Sequence, residues 1–171
     1  MNNKITKESI LDIAQTIAHS EGWQALTMRN LADKASVSLP VLYRLFEDKD
    51  DLLLELVKIS YAELIDKVDF LKNNSTNILN NSVNEIKEYF FNKPHIFDFL
   101  YRKNTFSTLV YRRNIQSLIS SIIDDHGHLD ADGKAELVMT IIVGEMVLGK
   151  DPESKVGLYL DHILQNKELV K

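Results

Sequence analysis

The 171-residue sequence contains no cysteine. That alone excludes disulfide scaffolds, thiolate metal sites and cysteine nucleophiles. Glycine and proline are scarce, at 6 and 3 residues, which leaves too few turn formers for a many-stranded β-sandwich and favours helices joined by short loops. Basic charge is not in excess: 20 Lys and Arg stand against 25 Asp and Glu, for a net charge of −5. Such a chain does not coat nucleic acid indiscriminately, although it can carry a local docking face. Long apolar runs are also missing. The most apolar stretch, Leu137 to Gly144, is bracketed by Glu136 and Glu145 and falls far short of the about 20 residues that a bilayer span requires. Residues 1–7 are polar and lead straight into an amphipathic segment without a signal-peptide apolar stretch. The expected location is therefore the cytoplasm, with no membrane partner.

What is present suffices for a packed core, with 44% hydrophobic and 26% charged residues. Ile10, Ile13, Ala14, Ile17 and Ala18 recur at three- and four-residue spacings, which predicts an amphipathic helix from about Thr6 to Ser20, ended by Gly22. Thr27 is placed to cap a short second helix burying Leu31, Ala32 and Ala35. After a tight break at Ser36-Val37, Ser38 is placed to cap a third helix to about Leu45, with Pro40 in its first turn. A long helix is predicted from Lys49 to about Leu71, a loop near Asn73 to Thr76, and further helices at about 77–91, 94–103, 106–126, 131–148 and 152–167. No alternating run suggests a strand. The expectation is an all-α chain of about nine helices, with a three-helix domain over 1–48 and a helical bundle over 49–171.

The first three helices carry the clearest chemistry. The major groove of duplex DNA admits one α-helix, which a small rigid scaffold must hold outward. At about 100° per residue, Leu42 and Phe46 fall on one side of the third helix. Pro40, Val41 and Arg44 fall roughly opposite. Leu42 and Phe46 are expected to pack on Ile17, Leu31 and Val37, which leaves apolar Leu39 and Val41 on a face where solvent alone gives them no reason to be.

Residues 10–53 resemble the DNA-binding domain of the TetR family of bacterial transcriptional regulators. The resemblance rests on Ile10, Ala14, Gly22, Trp23, Thr27, Met28, Arg29, Leu31, Ala32, Ala35, Val37, Ser38, Leu42, Tyr43, Phe46, Lys49 and Leu52. Carried over residue by residue, it implies phosphate contacts from Thr27, Arg29, Ser38, Tyr43 and Lys49, with the fourth helix's N-terminus assisting Lys49. Leu39, Pro40 and Val41 stand where base edges are met and, being apolar, can only touch thymine methyls or fill space. Arg44 or Arg29 is left to supply any guanine contact. Departures are also visible. Ser36 replaces the usual turn glycine, Leu45 stands where a polar phosphate ligand is common, and Glu47, Asp48, Asp50 and Asp51 crowd Lys49. Read without DNA, that acidic cluster is a cap and dipole complement for the fourth helix. Over 27–49, four basic residues against three acidic ones leave a balance of +1, which predicts modest affinity per subunit.

The resemblance further implies a dimer that binds a double-stranded, pseudo-palindromic operator as a repressor and is released by a small-molecule effector. His95, Tyr101 and Arg102 are candidate effector contacts. Arg102, Lys103, Arg112 and Arg113 could attract an acidic ligand or simply be solvated helix-edge charges. Leu137 to Leu148 is apolar around nearly its whole circumference and needs cover on more than one side. That makes Ile142 and Met146, with Leu160 and Leu164, candidates for an interface with a second copy. His126, His128, Asp130 and Asp132 cluster around Gly127, but loop histidines at a helix end are more often unliganded, and no metal or cofactor is expected. An enzyme is the rival class. A helical di-iron protein needs Glu-x-x-His pairs, which the sequence lacks, and neither nucleotide loops nor Ser-His-Asp motifs are visible. The other rival is a helical interaction protein that responds to a ligand without binding DNA.

Overall fold

The computed structural model describes residues 5–75, 77–103, 105–125 and 130–149, with Trp23 described by its backbone only. In chain order it forms α1 (Lys7–Ser20), a 3₁₀ turn (Trp23–Ala25), α2 (Met28–Lys34), α3 (Leu39–Tyr43), α4 (Lys49–Asn74), α5 (Ile78–Asn92), α6 (Pro94–Arg102), α7 (Phe106–Asp124) and α8 (Ala131–Leu148). No strand occurs among the described residues. The all-α expectation holds, and among the described residues eight α-helices stand where the first eight of about nine were expected, with an added 3₁₀ turn after α1. The helix expected at 152–167 lies outside the described residues.

Side-chain caps explain several of the starts. Thr6 Oγ1 accepts from the Ser9 N–H at 3.2 Å while Ser9 Oγ accepts from the Thr6 N–H at 3.1 Å, a reciprocal box at the start of α1. Thr27 Oγ1 accepts from the Asn30 N–H at 3.1 Å and opens α2. Thr105 and Thr108 repeat the reciprocal box on α7. At its other end α8 stops on Gly149, whose φ of +62° is the left-handed geometry glycine allows.

The chain divides into two compact units. The first runs to Ala62 and includes Lys93–Phe99; the second comprises Glu63–Asn92 and the residues from Leu100 onward. By this division α4 contributes residues to both units. In the first unit α1 packs on α2 and α2 on α3, over a core that includes the fully buried Ala14, Leu26, Leu31, Leu42 and Leu52. In the second, α7 packs on α8 and both pack on α5, around Ile86, Phe90, Ile119, Val138 and Ile142.

The break between α2 and α3 fixes how α3 is presented. Val37 N–H donates to the Ala32 carbonyl at 3.0 Å and Ser36 N–H to the Asp33 carbonyl at 3.2 Å, the paired bonds of a Schellman C-cap. That motif needs a left-handed residue at Ser36, and its φ is +54°. A non-glycine residue holds this conformation at a cost of about 1 kcal/mol or more. Ser36→Gly is therefore expected to stabilise the first unit by about 0.5–1 kcal/mol, after glycine's larger unfolded-state entropy is counted. A thermal melt showing no gain, or a loss, would contradict the strain argument.

Candidate nucleic-acid interface

α3 is only five residues long and ends at Tyr43 rather than near Leu45. Its last turn tightens: Arg44 N–H donates to the Val41 carbonyl and Leu45 N–H to that of Leu42. Ser38 holds the N-cap position with extended backbone, yet its side chain makes no cap bond. Its carbonyl accepts from Val41 and Leu42 as the first bonds of the helix, so the expected hydroxyl cap is not formed, and Ser38 is exposed.

Burial sorts this segment sharply. Leu42 and Phe46 are 0% and 1% exposed, whereas Leu39 is 37% and Tyr43 53% exposed. Pro40 and Arg44 are exposed, and Val41 is half-buried between the two faces. Ile17 and Leu31, expected to pack with Leu42 and Phe46, are themselves buried, and Val37 is half-buried. Arg29 is exposed near the start of α2. Among the described residues, Arg29, Tyr43 and Arg44 have neither an ion-pair nor a hydrogen-bond partner for their side chains. Lys34, by contrast, is held by Glu21 at 2.7 Å. Thr27 is exposed, with its hydroxyl oxygen engaged in capping α2.

The acidic residues around Lys49 have local work. Asp48 Oδ1 accepts from the Asp51 N–H at 2.8 Å, and Asp51 Oδ2 accepts from the Glu47 N–H at 3.1 Å. Two of the four carboxylates are thereby turned onto the first turn of α4, where the helix dipole favours negative charge. Lys49 is half-buried at the same helix start.

The residues expected to meet an effector fall in different units. His95 belongs to the first and is buried. Its imidazole is pushed down to about 4, chiefly because burial penalises the charged form and secondarily because of the Lys93 ammonium. It is therefore neutral at physiological pH. Tyr101 and Arg102 belong to the second unit. Burial pushes the Tyr101 phenol up to about 12, against the pull of Arg112, while Arg102 is exposed. The residue facing Tyr101 is Arg112, whose guanidinium lies 5.4 Å from the ring centre. Phe90 meets the same ring edge-on at 6.0 Å. Arg112 is half-buried rather than a freely solvated edge charge. Sequence reasoning also missed a buried ion pair, Lys87 Nζ to Glu145 Oε2 at 3.1 Å. The available signal was a lysine on α5's apolar stripe and a glutamate inside the most apolar helix.

On α8 the buried face consists of Lys134, Ala135, Val138, Met139, Ile142 and Glu145. Ile142 is fully buried within its own subunit, so it has no surface to offer a second copy. Met146 is half-buried. Leu160 and Leu164 lie outside the described residues. The face left open carries Leu137, Val147 and Leu148, at 43%, 71% and 67% exposed. Ile141 and Gly144 continue the line from Leu137 to Leu148, and a Cβ added at Gly144 would meet nothing within 4 Å.

A surface cavity of about 530 Å³ lies between α7 and α8, lined by Ser117, Ser120, Ser121, Asp124, Asp130, Ala131 and Asp132. Its acidic, hydroxyl-rich wall differs from the apolar pocket with few polar groups that suits an effector. Asp130 Oδ1 there accepts from the Gly133 N–H and caps α8, while Asp132 accepts from the Ser120 hydroxyl. His126 and His128 lie outside the described residues. Among the described residues, no group of three His, Asp or Glu side chains is arranged to hold a metal ion, and no helix is long and apolar enough to cross a membrane.

Comparison with known proteins matches residues 10–56 to the sequence profile of bacterial regulatory proteins of the tetR family. A curated relative, the HTH-type transcriptional repressor KstR of Mycobacterium tuberculosis, is 35% identical over 63 residues, which are 37% of this chain and 29% of that protein. The match thus spans about three-tenths of the relative's length. Solved structures match far more of the chain at lower identity. A TetR/AcrR-family regulator from Thermobifida fusca aligns with a TM-score of 0.70 and 14% identity, covering 94% of this chain and 96% of that one. The fatty acid degradation regulator FadR of Bacillus halodurans aligns at 0.69 and 15%, covering 94% and 99%. FadR of Bacillus subtilis, solved with stearoyl-CoA, aligns at 0.69 and 16%, covering 94% and 96%. At these identities the structural likeness establishes the fold.

Proposed function

Since the chain belongs, through residues 10–56, to the TetR family of bacterial regulatory proteins, we propose that it acts as a dimeric transcriptional repressor. In this reading it binds a pseudo-palindromic operator and is released by a small-molecule effector, with no catalytic step. The observation that carries the reading is the two-sided character of the 39–46 segment. Leu42 and Phe46 are sealed in the core, while Tyr43 and Arg44 stand exposed and unpartnered beside Leu39 and Pro40.

The contacts divide by chemistry. Arg44 or Arg29 donates to guanine, Leu39, Pro40 and Val41 touch thymine methyls, and Thr27, Ser38, Tyr43 and Lys49 position the subunit on phosphates. Asp48 and Asp51 do not oppose this, because their carboxylates are held on the first turn of α4. The open face of α8, along Leu137, Ile141, Gly144 and Leu148, is where two copies join, and a two-fold operator asks of such a pair that its α3 segments reach half-sites about 34 Å apart, one turn of duplex. The effector acts by preferring one placement of α4 over another. Only a ligand with unequal affinity for the two states can shift the balance.

A gel shift with DNA from the chain's own upstream region, run at two salt concentrations, tests the reading. Arg44→Ala is expected to weaken binding by about 1–3 kcal/mol and to relax base preference at one position per half-site. Tyr43→Phe is expected to weaken all sequences alike. Replacing half-site thymines with uracil, which removes only the methyl, should weaken wild-type binding. Failure to shift any such DNA at either salt would exclude the repressor reading, and indifference to uracil would exclude the methyl contacts.

A further inference from the structure

Arg112 occupies a position where charge has no evident place. Along α7, Thr108, Ile115 and Ile119 form the buried stripe, at 0%, 1% and 0% exposed, and Arg112 falls on the same side by helical spacing. One Nη2 nitrogen donates to the Lys103 carbonyl at 2.9 Å and lies 3.5 Å from Thr108 Oγ1. The guanidinium stacks toward Tyr101 at 5.4 Å. Its Nε is buried and has no hydrogen-bond partner, and no carboxylate lies within ion-pair distance among the described residues. The second unit shows how it treats a fully buried cation elsewhere: Lys87 is answered by Glu145 at 3.1 Å. Arg112 receives no such answer. A half-buried charge with an orphaned donor calls for an explanation.

We propose that Arg112, with Tyr101 beside it, receives the carboxylate of a small organic acid, and that this is the polar anchor of the effector. The inference rests on the repressor reading and specifies the chemical class of its ligand. A carboxylate takes two parallel N–H bonds along one edge of a guanidinium, Nε with Nη2 or Nη1 with Nη2, and no carboxylate among the described residues occupies either edge of Arg112. Tyr101 supplies a ring against which an apolar body can lie, backed by the edge-on Phe90 and, behind it, Tyr89, whose ring meets Phe90 at 5.1 Å. The geometry therefore selects an acid with an aromatic or alkyl body. Arg112, rather than the exposed Arg102, is the residue that gives this region its preference for an anion.

The test is isothermal calorimetry on the full chain with benzoate and octanoate, each against its neutral isostere, benzamide and octanamide. At least one acid is expected to bind tenfold or more tighter than its amide, roughly the worth of a charge-assisted hydrogen bond. Arg112→Met should erase that difference and leave the affinity for the amide in place. Arg112→Lys, which keeps the charge and loses the fork, should retain only part of it. If Arg112 merely ties Lys103 to α7, Arg112→Met will lower the melting temperature and weaken acid and amide equally, which overturns the proposal. So does equal binding of acid and amide by the wild type, or binding of neither. A gel shift without ligand keeps the two readings apart. Intact DNA binding with no acid preference sinks the Arg112 site alone, whereas acid binding by a chain that shifts no DNA sinks the repressor.

Discussion

Replacing Glu145 with methionine is expected to destabilise the second unit by about 3–5 kcal/mol, and adding Lys87→Met is expected to restore most of the loss. The two side chains sit on α8 and α5, each about 3% exposed, with Lys87 Nζ at 3.1 Å and 3.5 Å from the two carboxylate oxygens. Their attraction is strong at that depth, but so was the cost of stripping both of water, and the two nearly cancel. Breaking the pair from one side leaves a buried charge without the opposite charge that answered it. Removing both leaves two flexible apolar chains that can fill the space. Urea denaturation of the three proteins separates these cases. A single variant as mild as a surface change, or a double variant worse than the single, would mean that the pair contributes net stability or is wetter than its burial indicates.

Phe46→Ala is expected to remove about 3–5 kcal/mol from the first unit and, with it, nearly all DNA binding. Phe46 is 1% exposed, and the Lys7 ammonium lies 5.2 Å above its ring. The larger reason concerns α3 itself. Five residues cannot nucleate a helix in water, where even 12–15 are marginal. The segment therefore keeps its shape only while Leu42 and Phe46 hold it to the core. The expected signature is a lowered melt with a parallel loss of gel shift, both largely relieved in Phe46→Leu. Arg44→Ala should instead leave the melt unchanged and lose only affinity. If Phe46→Ala folded normally and bound DNA normally, α3 would owe its order to something other than burial.

The contrast shows which features are legible in the sequence. Caps are local chemistry: Thr6 and Thr27 bond to amides three residues on, so the starts of α1 and α2 follow from residue type alone. The same holds for Gly149 at the end of α8, whereas Ser36 stands out only against the glycine that the family resemblance leads one to expect. The 39–46 segment is legible because one helical turn sorts Leu42 and Phe46 away from Tyr43 and Arg44. Features that depend on what another helix brings are not legible. Ile142 and Leu137 are equally apolar, and only packing against α7 and α5 decides that the first is enclosed and the second bare. Arg112 and Arg113 are neighbours of identical type, yet α7's rotation puts one beside Tyr101 and leaves the other in solvent. The charge of Lys87 reads as surface until Glu145, 58 positions later, is placed beside it.

The uncovered line on α8 ties the protein's behaviour to its abundance. A subunit by itself leaves Val147 and Leu148 in water, so in the proposed pair each copy completes the other's hydrophobic shielding as well as its reach along the duplex. Mass action then makes the number of binding-competent pairs rise with the square of a dilute pool. Halving the cellular supply would empty promoters more than twofold, and a threshold in gene output would arise without any change in the ligand.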